Sequence, residues 1–459
     1  MTPVNDRSLP GDEGAYVGRP SVVPTSTSSA SARTSSPRWL FMVVLAAGIA
    51  ARLPWLGAEG YAGDATMGAG QIAVVASQGY GRAYEYAYTY RPGDAHDLSY
   101  GPFYAAVTGG VSALWLRLAP QVGVAPLPLA LPVFKLPVVA ADLLIGWLVY
   151  VAARRRLSQG SVALAALHLL NPGMILVSAW WGQNDPLSTA CVVAAVVALT
   201  ARRPAAASSL AATLAVLTKA QSYFIAPLVA IVLIRSRRWL DLCRGALMAA
   251  AAAFVLCIPL IAEGHLMSLP LMYLKLVDRH ATLHVNAFNV WWLGREWIGN
   301  RVPDTLTAFG PLTYKHVGLL MVGVYSVGLL VRVWVRFDIR DTALIAACLA
   351  TAFFMLPTQI HTRYLHPVLP LLLLAAIYRP RLIVCFGVFT ITFFMNQLHL
   401  ILRSTGPPPL WLDQSERMGL STTAMVVANL MTFAVLTWIA LDPSSVARVP
   451  RVSSRESAA

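Results

Sequence analysis

Four short stretches of this chain carry the side chains best suited to chemistry. In GYAGDATMGAG, Asp64 stands among glycines and small residues. It either caps a helix beginning at Ala65-Thr66 or supplies a catalytic carboxylate. SAWWGQNDPLS, Ser178 to Ser188, sets Gln183, Asn184 and Asp185 directly before Pro186. An Asp-Pro pair is ordinary chemistry for a helix start. LTKAQSYF offers Lys219 and Gln221, where the lysine either reaches for an interface or neutralises an anionic ligand. PTQIHTRYLHP gathers His361, Arg363, Tyr364 and His366 within six residues. The planar guanidinium stays charged and binds phosphate through two parallel hydrogen bonds. Packing does not explain four such groups in so short a span.

Three further stretches are weaker. HDLSYGPFY contains His96, Asp97 and Tyr100, and HVNAFNVWWLG contains Asn286, Asn289 and Trp291-Trp292. FKLPVVAADLL places Lys135 and Asp142 seven residues apart, two turns along one helical face, where a structural ion pair is expected.

The elements that must hold these groups are apolar. Of 459 residues, 57% are hydrophobic and only 12% charged, and mean hydropathy is +0.61. Soluble domains carry about 25% charge, so the chain reads as an all-α polytopic membrane protein. A carboxylate at a membrane boundary is costly unless it faces a water-filled cavity, which gives Asp185 a reason to be where it is. The net charge of +14 raises nucleic-acid binding, but no basic patch interleaves with aromatics. The five cysteines lie in or beside apolar runs with no CxxC and read as small buried residues rather than disulfides or metal ligands. Residues 1–38, rich in Ser, Thr, Pro and Gly, read as a disordered cytoplasmic tail, and 442–459 as a second one.

Apolar runs of helical length recur at 39–56, 132–152, 160–179, 185–201, 205–218, 221–234, 243–262, 314–334, 342–357, 364–378, 381–402 and 420–441. Several are shorter than the ~20 residues that cross a bilayer and should end inside the protein or at a cavity. The run 101–120 is ambiguous, and charge decides it. If it lies along the surface, fourteen basic residues, from Arg154-Arg155-Arg156 to Arg379 and Arg381, fall on one side, against only Lys219, Arg363, Arg403 and Arg417 in the short loops of the other. The basic side is cytoplasmic. About 12 helices then span, both termini are cytoplasmic, and external loops cover about 57–131 and 263–313. The segment 39–441 forms one transmembrane domain. Every polar stretch above except Asp142 falls at an external helix end.

Taken in order, Asp64, DLSYGPFY, KLPVVAADLL, NPGMILVSAWWGQND, LTKAQSYFIAPL, NAFNVWWL and HTRYLHPVLPLL resemble the GT-C superfamily of glycosyltransferases dependent on polyprenyl-phosphate sugars. The series looks closest to bacterial mannosyltransferases related to the GPI-anchor mannosyltransferases, and it covers about residues 39–402. This chain departs from the family pattern with KAQ for K-P-Q, HTRYL for H-E-R-Y-L, and an insertion before Tyr100. The resemblance implies a GT-C-like bundle with surface helices in the first external loop, and transfer of a hexose, mannose by family likeness. The donor is a polyprenyl-phosphate sugar, the acceptor a hydroxyl of a glycan or glycolipid at the external membrane face. It implies Asp64 as catalytic base and Arg363, Lys219, His361 and Tyr364 around the donor phosphate. Asp185, Gln183, Gln221, Asn286, Asn289, Asp97 and His366 line or brace the sugar and acceptor pocket, and Trp180-Trp181 anchor a helix end at the interface. No metal, cofactor or nucleic acid is expected; the bilayer is the remaining partner. Of the 35 basic residues 31 are Arg, and alanine is abundant, a bias of GC-rich bacterial coding that suggests a bacterial plasma membrane. The rival class, a transporter or lipid-linked-sugar flippase, calls for ionisable groups near the midplane and an internal repeat; a lipid-linked polysaccharide polymerase is a third reading.

Overall fold

A computed structural model describes residues 38–89, 100–123, 130–157, 160–201, 205–276, 280–294, 302–404 and 420–442. The expected tails, apart from residues 38 and 442, lie outside these, as do His96 and Asp97.

The chain begins with α1 (Arg38–Ala50), followed by three helices of the first loop, α2 (Asp64–Gln78), α3 (Tyr80–Thr89) and α4 (Pro102–Leu118). Then come α5 (Leu131–Arg154), α6 (Gly160–Leu169) and the short α7 (Pro172–Ile175), which runs into a π-helical turn at Leu176–Trp181. A run of close-packed helices follows: α8 (Asp185–Thr200), α9 (Ala206–Thr218), α10 (Ile225–Arg235), α11 (Trp239–Ala262) and α12 (Ser268–Leu276). The last third holds α13 (Tyr314–Val335), α14 (Thr342–Met355), α15 (Val368–Ala376), α16 (Leu382–Ser404) and α17 (Leu420–Leu441). A two-stranded antiparallel hairpin, Thr307–Phe309 with Leu312–Thr313, turns at Gly310.

The described residues form an all-α membrane protein by the length and greasiness of their helices. Six helical stretches, Arg38–Trp55, α5, α11, α13, Leu382–Arg403 and Thr422–Leu441, are long and apolar enough to cross. A seventh crossing results if the pair α6 and Pro172–Trp181, bent by 45°, counts as one. The bend has a chemical cause: Pro172 cannot continue the ladder, and Asn171 Oδ1 accepts from the amides of Gly173 and Met174 to start a new helix. The other apolar runs read from the sequence fold as shorter helices, α8, α9, α10, α14 and α15. Helix α4, at 17 residues, is not among the spanning helices.

Burial separates two kinds of helix. On α11 and α13 large apolar side chains such as Leu247, Phe254 and Val324 stand exposed, as lipid-facing residues do. All of α15 and nearly all of α14 are buried, so these two form the middle of the bundle, where leucine and alanine pack on every side.

The expected ion pair between Lys135 and Asp142 does not form. Asp142 Oδ2 instead accepts from Arg52 Nε and Nη2 at 3.0 and 2.7 Å, and its Oδ1 lies 2.9 Å from His168 Nε2. All three side chains are buried. The partners come from the turn after α1 and from α6, so spacing along α5 alone could not reveal them.

Candidate active site

Short helices that end within the protein meet in a cavity of about 920 Å³. Asp64, Gln183, Lys219, Gln221, His361, Arg363 and Tyr364 all line it, although they come from four distant parts of the chain.

Asp185 is the hub. It is the first residue of α8 and wholly buried, where the partial positive charge of a helix start favours an anion. Its Oδ1 accepts from Lys219 Nζ at 2.8 Å and Gln221 Nε2 at 3.0 Å, and Arg363 Nε forms an ion pair with Oδ2 at 3.3 Å. Lys219 sits just past the last turn of α9, the end that favours a cation. Antiparallel packing of α8 on α9 therefore brings complementary charges together. Lys219 is no snorkelling anchor: only 7% of it is exposed. Asp185 does not cap its own helix, and Asn184, at the cap position, makes no capping bond.

Arg363 arrives on a 3-10 turn, Thr362–Leu365, between the two central helices α14 and α15. Its Nε faces the Asp185 carboxylate, and the side chain also lines the cavity. Its guanidinium carbon lies 5.1 Å from the centre of the Trp181 ring and 5.6 Å from that of Tyr364. Lys219 Nζ stands 4.4 Å from the Tyr364 ring centre. Aromatic faces thus steady two cations that share the Asp185 carboxylate.

Asp64 opens α2 after a left-handed Gly63. Its Oδ2 accepts from Trp181 Nε1 at 2.8 Å and Gln183 Nε2 at 3.0 Å. Both bonds fall on one oxygen, so among the described residues Oδ1 is left for whatever enters the cavity. Trp181 is 1% exposed, which corrects its reading as an interfacial anchor. Its indole is a hydrogen-bond donor inside the protein, and Tyr61 packs against it at 5.5 Å.

His361 stacks edge-on against His280 at 5.0 Å and lies 5.6 Å from Tyr364. The second loop reaches this turn through backbone pairing of Val285 and Asn286 with His361. Four residues expected in the pocket do not line it: the hub Asp185, which sits behind Lys219, Gln221 and Arg363, and Asn289, Asn286 and His366. Asn289 donates to the carbonyls of Phe354 and Pro357, Asn286 takes a left-handed conformation while its carbonyl accepts from Asn396, and buried His366 meets Thr189 at 3.0 Å. They fasten the second loop and the helix ends around the cavity. Asp97 lies outside the described residues.

Sequence reading missed His280, Lys315 and Gln359, which also line the cavity, and the buried Asp304, whose Oδ2 accepts from Thr358 and Gln359. Lys315 carried a signal in being one of only four lysines; the others had none. Among the described residues no group of three or more His, Cys, Asp or Glu could hold a metal ion.

No protein-family model matches the chain, and no curated protein does. Among solved structures, the chain is similar to the archaeal oligosaccharyltransferase AglB from Archaeoglobus fulgidus, solved in complex with an inhibitory peptide and a dolichol-phosphate. Identity is 12% and the TM-score 0.39, and the match covers 86% of this chain. The chain spans about half the length of that protein, 56% of it.

Proposed function

We propose that the protein is an integral-membrane glycosyltransferase that moves a hexose, mannose by family likeness, from a polyprenyl-phosphate sugar to a hydroxyl of a glycan or glycolipid. The observation that carries this reading is a single cavity shared by a carboxylate with a free oxygen, Asp64, and a buried cation pair, Lys219 and Arg363.

Charge supports the donor class. Asp185 cancels one of the two cations, leaving the trio with one net positive charge. A lipid-linked sugar phosphodiester carries one negative charge. When its sugar leaves, the phosphate gains a second, and the Arg363 guanidinium would meet it. The acceptor oxygen attacks the anomeric carbon, the bond from that carbon to the phosphate oxygen breaks with its electron pair going to phosphate, and the acceptor proton passes to Asp64. In-line attack inverts the anomeric centre. No metal enters this scheme.

Helix polarity supports an external site. The helices α5, α10, α13 and α15 begin near the cavity, and their far ends run into Arg154, Arg235, Arg332 and Arg379. Helix α14, following Arg340, runs the opposite way and delivers its end to the cavity. Arginine-rich ends mark the cytoplasmic side. The paired cluster of Arg52, Asp142 and His168 does not line the cavity. The twelve-span count and bacterial plasma membrane remain part of this reading.

The test is label transfer from a radiolabelled polyprenyl-phosphate hexose to extracted membrane glycolipids, with free polyprenyl phosphate as competitor. Transfer blocked by the competitor supports the reading, and no transfer from any such donor would end it.

Lys219 adds a pH dependence. Burial lowers its ammonium to about 8, against the pull of Asp185 upward. The charged form predominates below that value and holds phosphate, so donor KM should rise as pH climbs through about 8. In Lys219→Met the KM should be high throughout and lose this alkaline rise. Steady-state kinetics from pH 6 to 9.5 would show both.

A further inference from the structure

Lys135 is a cation of the bundle interior. It lies in the first turns of α5 and is fully buried, yet among the described residues no carboxylate meets it. Its ammonium donates instead to four backbone carbonyls: Trp55 at 3.1 Å, Ala58 at 2.6 Å, Ala179 at 2.7 Å and Trp180 at 2.8 Å. Three N–H groups serve four acceptors, so at least one bond is shared.

Those carbonyls belong to two segments far apart in the chain. The first leads into Asp64: the neighbouring carbonyl, that of Glu59, accepts from the Ala65 amide at 3.1 Å and fixes the start of α2. The second ends on Trp181 and Gln183, the two donors that hold Asp64 Oδ2. Two glycines allow the close approach. A Cβ on Gly182, at φ +70°, would lie 3.0 Å from the Lys135 stem, and one on Gly60, at φ +73°, would lie 2.9 Å from the Trp181 carbonyl oxygen.

We propose that Lys135 is a positioning residue for the transfer reaction, clamping together the segment that carries Asp64 and the segment that carries its two hydrogen-bond donors. The proposal rests on the reading of Asp64 as the base. Lys135 touches neither donor nor acceptor: it is absent from the cavity lining. It acts by fixing where the free oxygen of Asp64 points. A misplacement of about 1 Å can cost 100-fold in rate, so a clamp at this distance has leverage on turnover without bearing on donor binding. The carbonyl set also explains why a cation, and not leucine, fills this position. An apolar side chain there would leave the buried Ala179 carbonyl without this donor, a cost folded proteins avoid.

The test uses the full-length purified protein in nanodiscs, with kcat and KM measured per folded molecule. Lys135→Met keeps the stem and removes the donors. It should lower kcat about 10- to 100-fold, with KM for the polyprenyl-phosphate sugar within about twofold. In a Trp181→Phe/Gln183→Leu background, where Asp64 has already lost its donors, the same change should cost less than about twofold more, as coupled positions do. Equal losses in both backgrounds, or a loss in KM alone, would overturn the proposal. Gly182→Ala provides a second route should Lys135→Met fold poorly. It presses on the lysine stem while keeping the ammonium, and the same fall in kcat alone is expected; unchanged kcat would count against the clamp. Asp64→Asn is run beside them. If that variant transfers normally, the reading of Asp64 fails; if it is dead while Lys135→Met is unimpaired, only the positioning role fails.

Discussion

Asp64→Asn should reduce turnover by about 100- to 10,000-fold, the usual worth of a general base, and leave the folded protein in place. The substitution is nearly isosteric. An amide oxygen can still accept from Trp181 Nε1 and Gln183 Nε2, so the link between α2 and the π-helical turn survives. What disappears is the ability to take the acceptor's proton. In the proposed mechanism other residues hold the donor phosphate, so KM for the lipid sugar should change little. The check is a transfer assay with isolated membranes containing equal amounts of wild type and variant, with a thermal unfolding curve for each. Transfer at a near-normal rate would remove Asp64 from the mechanism.

Arg363→Ala should be the second most damaging change, by a different route. Losing a fixed donor aimed at developing charge costs about 100- to 1,000-fold in rate, and here the phosphate also loses a ground-state contact. Both kcat and donor affinity should therefore fall, and competition by free polyprenyl phosphate should weaken in parallel. The fold should tolerate the loss better than that of Asp185, because Asp185 keeps Lys219 and Gln221 on Oδ1. Removing Asp185 would strand two buried cations, a change that typically costs 3–5 kcal/mol when a buried pair is broken. Measured kcat and KM with an unfolding midpoint near wild type would fit this account. Unchanged competition by the free lipid phosphate would place the phosphate elsewhere.

Much of this site is legible in the sequence because polar residues stand out against an apolar chain. Lys219, Asp185 and Arg363 interrupt runs of alanine and leucine, and a membrane protein keeps such groups only where they have partners or water. Charge asymmetry between loops similarly gives helix polarity without coordinates. Pairing is another matter. Asp142 and Lys135 share a face of α5, and their spacing points to each other, but the actual partners approach from the turn after α1, from α6 and from two backbone segments. The tryptophans of the WWGQ stretch carry the composition of an interfacial belt, yet Trp181 faces inward to Asp64. Which side of a helix a residue takes is local information; what meets it there is decided by packing between segments distant in sequence. Asn286 and Asn289 show the same limit, since their loop-bracing contacts to Asn396, Phe354 and Pro357 involve residues more than sixty positions away.

The central claim is that the sugar leaves its lipid phosphate in the Asp64–Arg363 cavity. Purified protein in liposomes, given a doubly labelled polyprenyl-phosphate sugar and an acceptor extract, tests it most directly. One free polyprenyl phosphate should appear for each sugar joined to acceptor, and neither product should form with Asp64→Asn. Sugar that crosses the bilayer still joined to its lipid, at equal rates in wild type and Asp64→Asn, would contradict the account and make the protein a flippase.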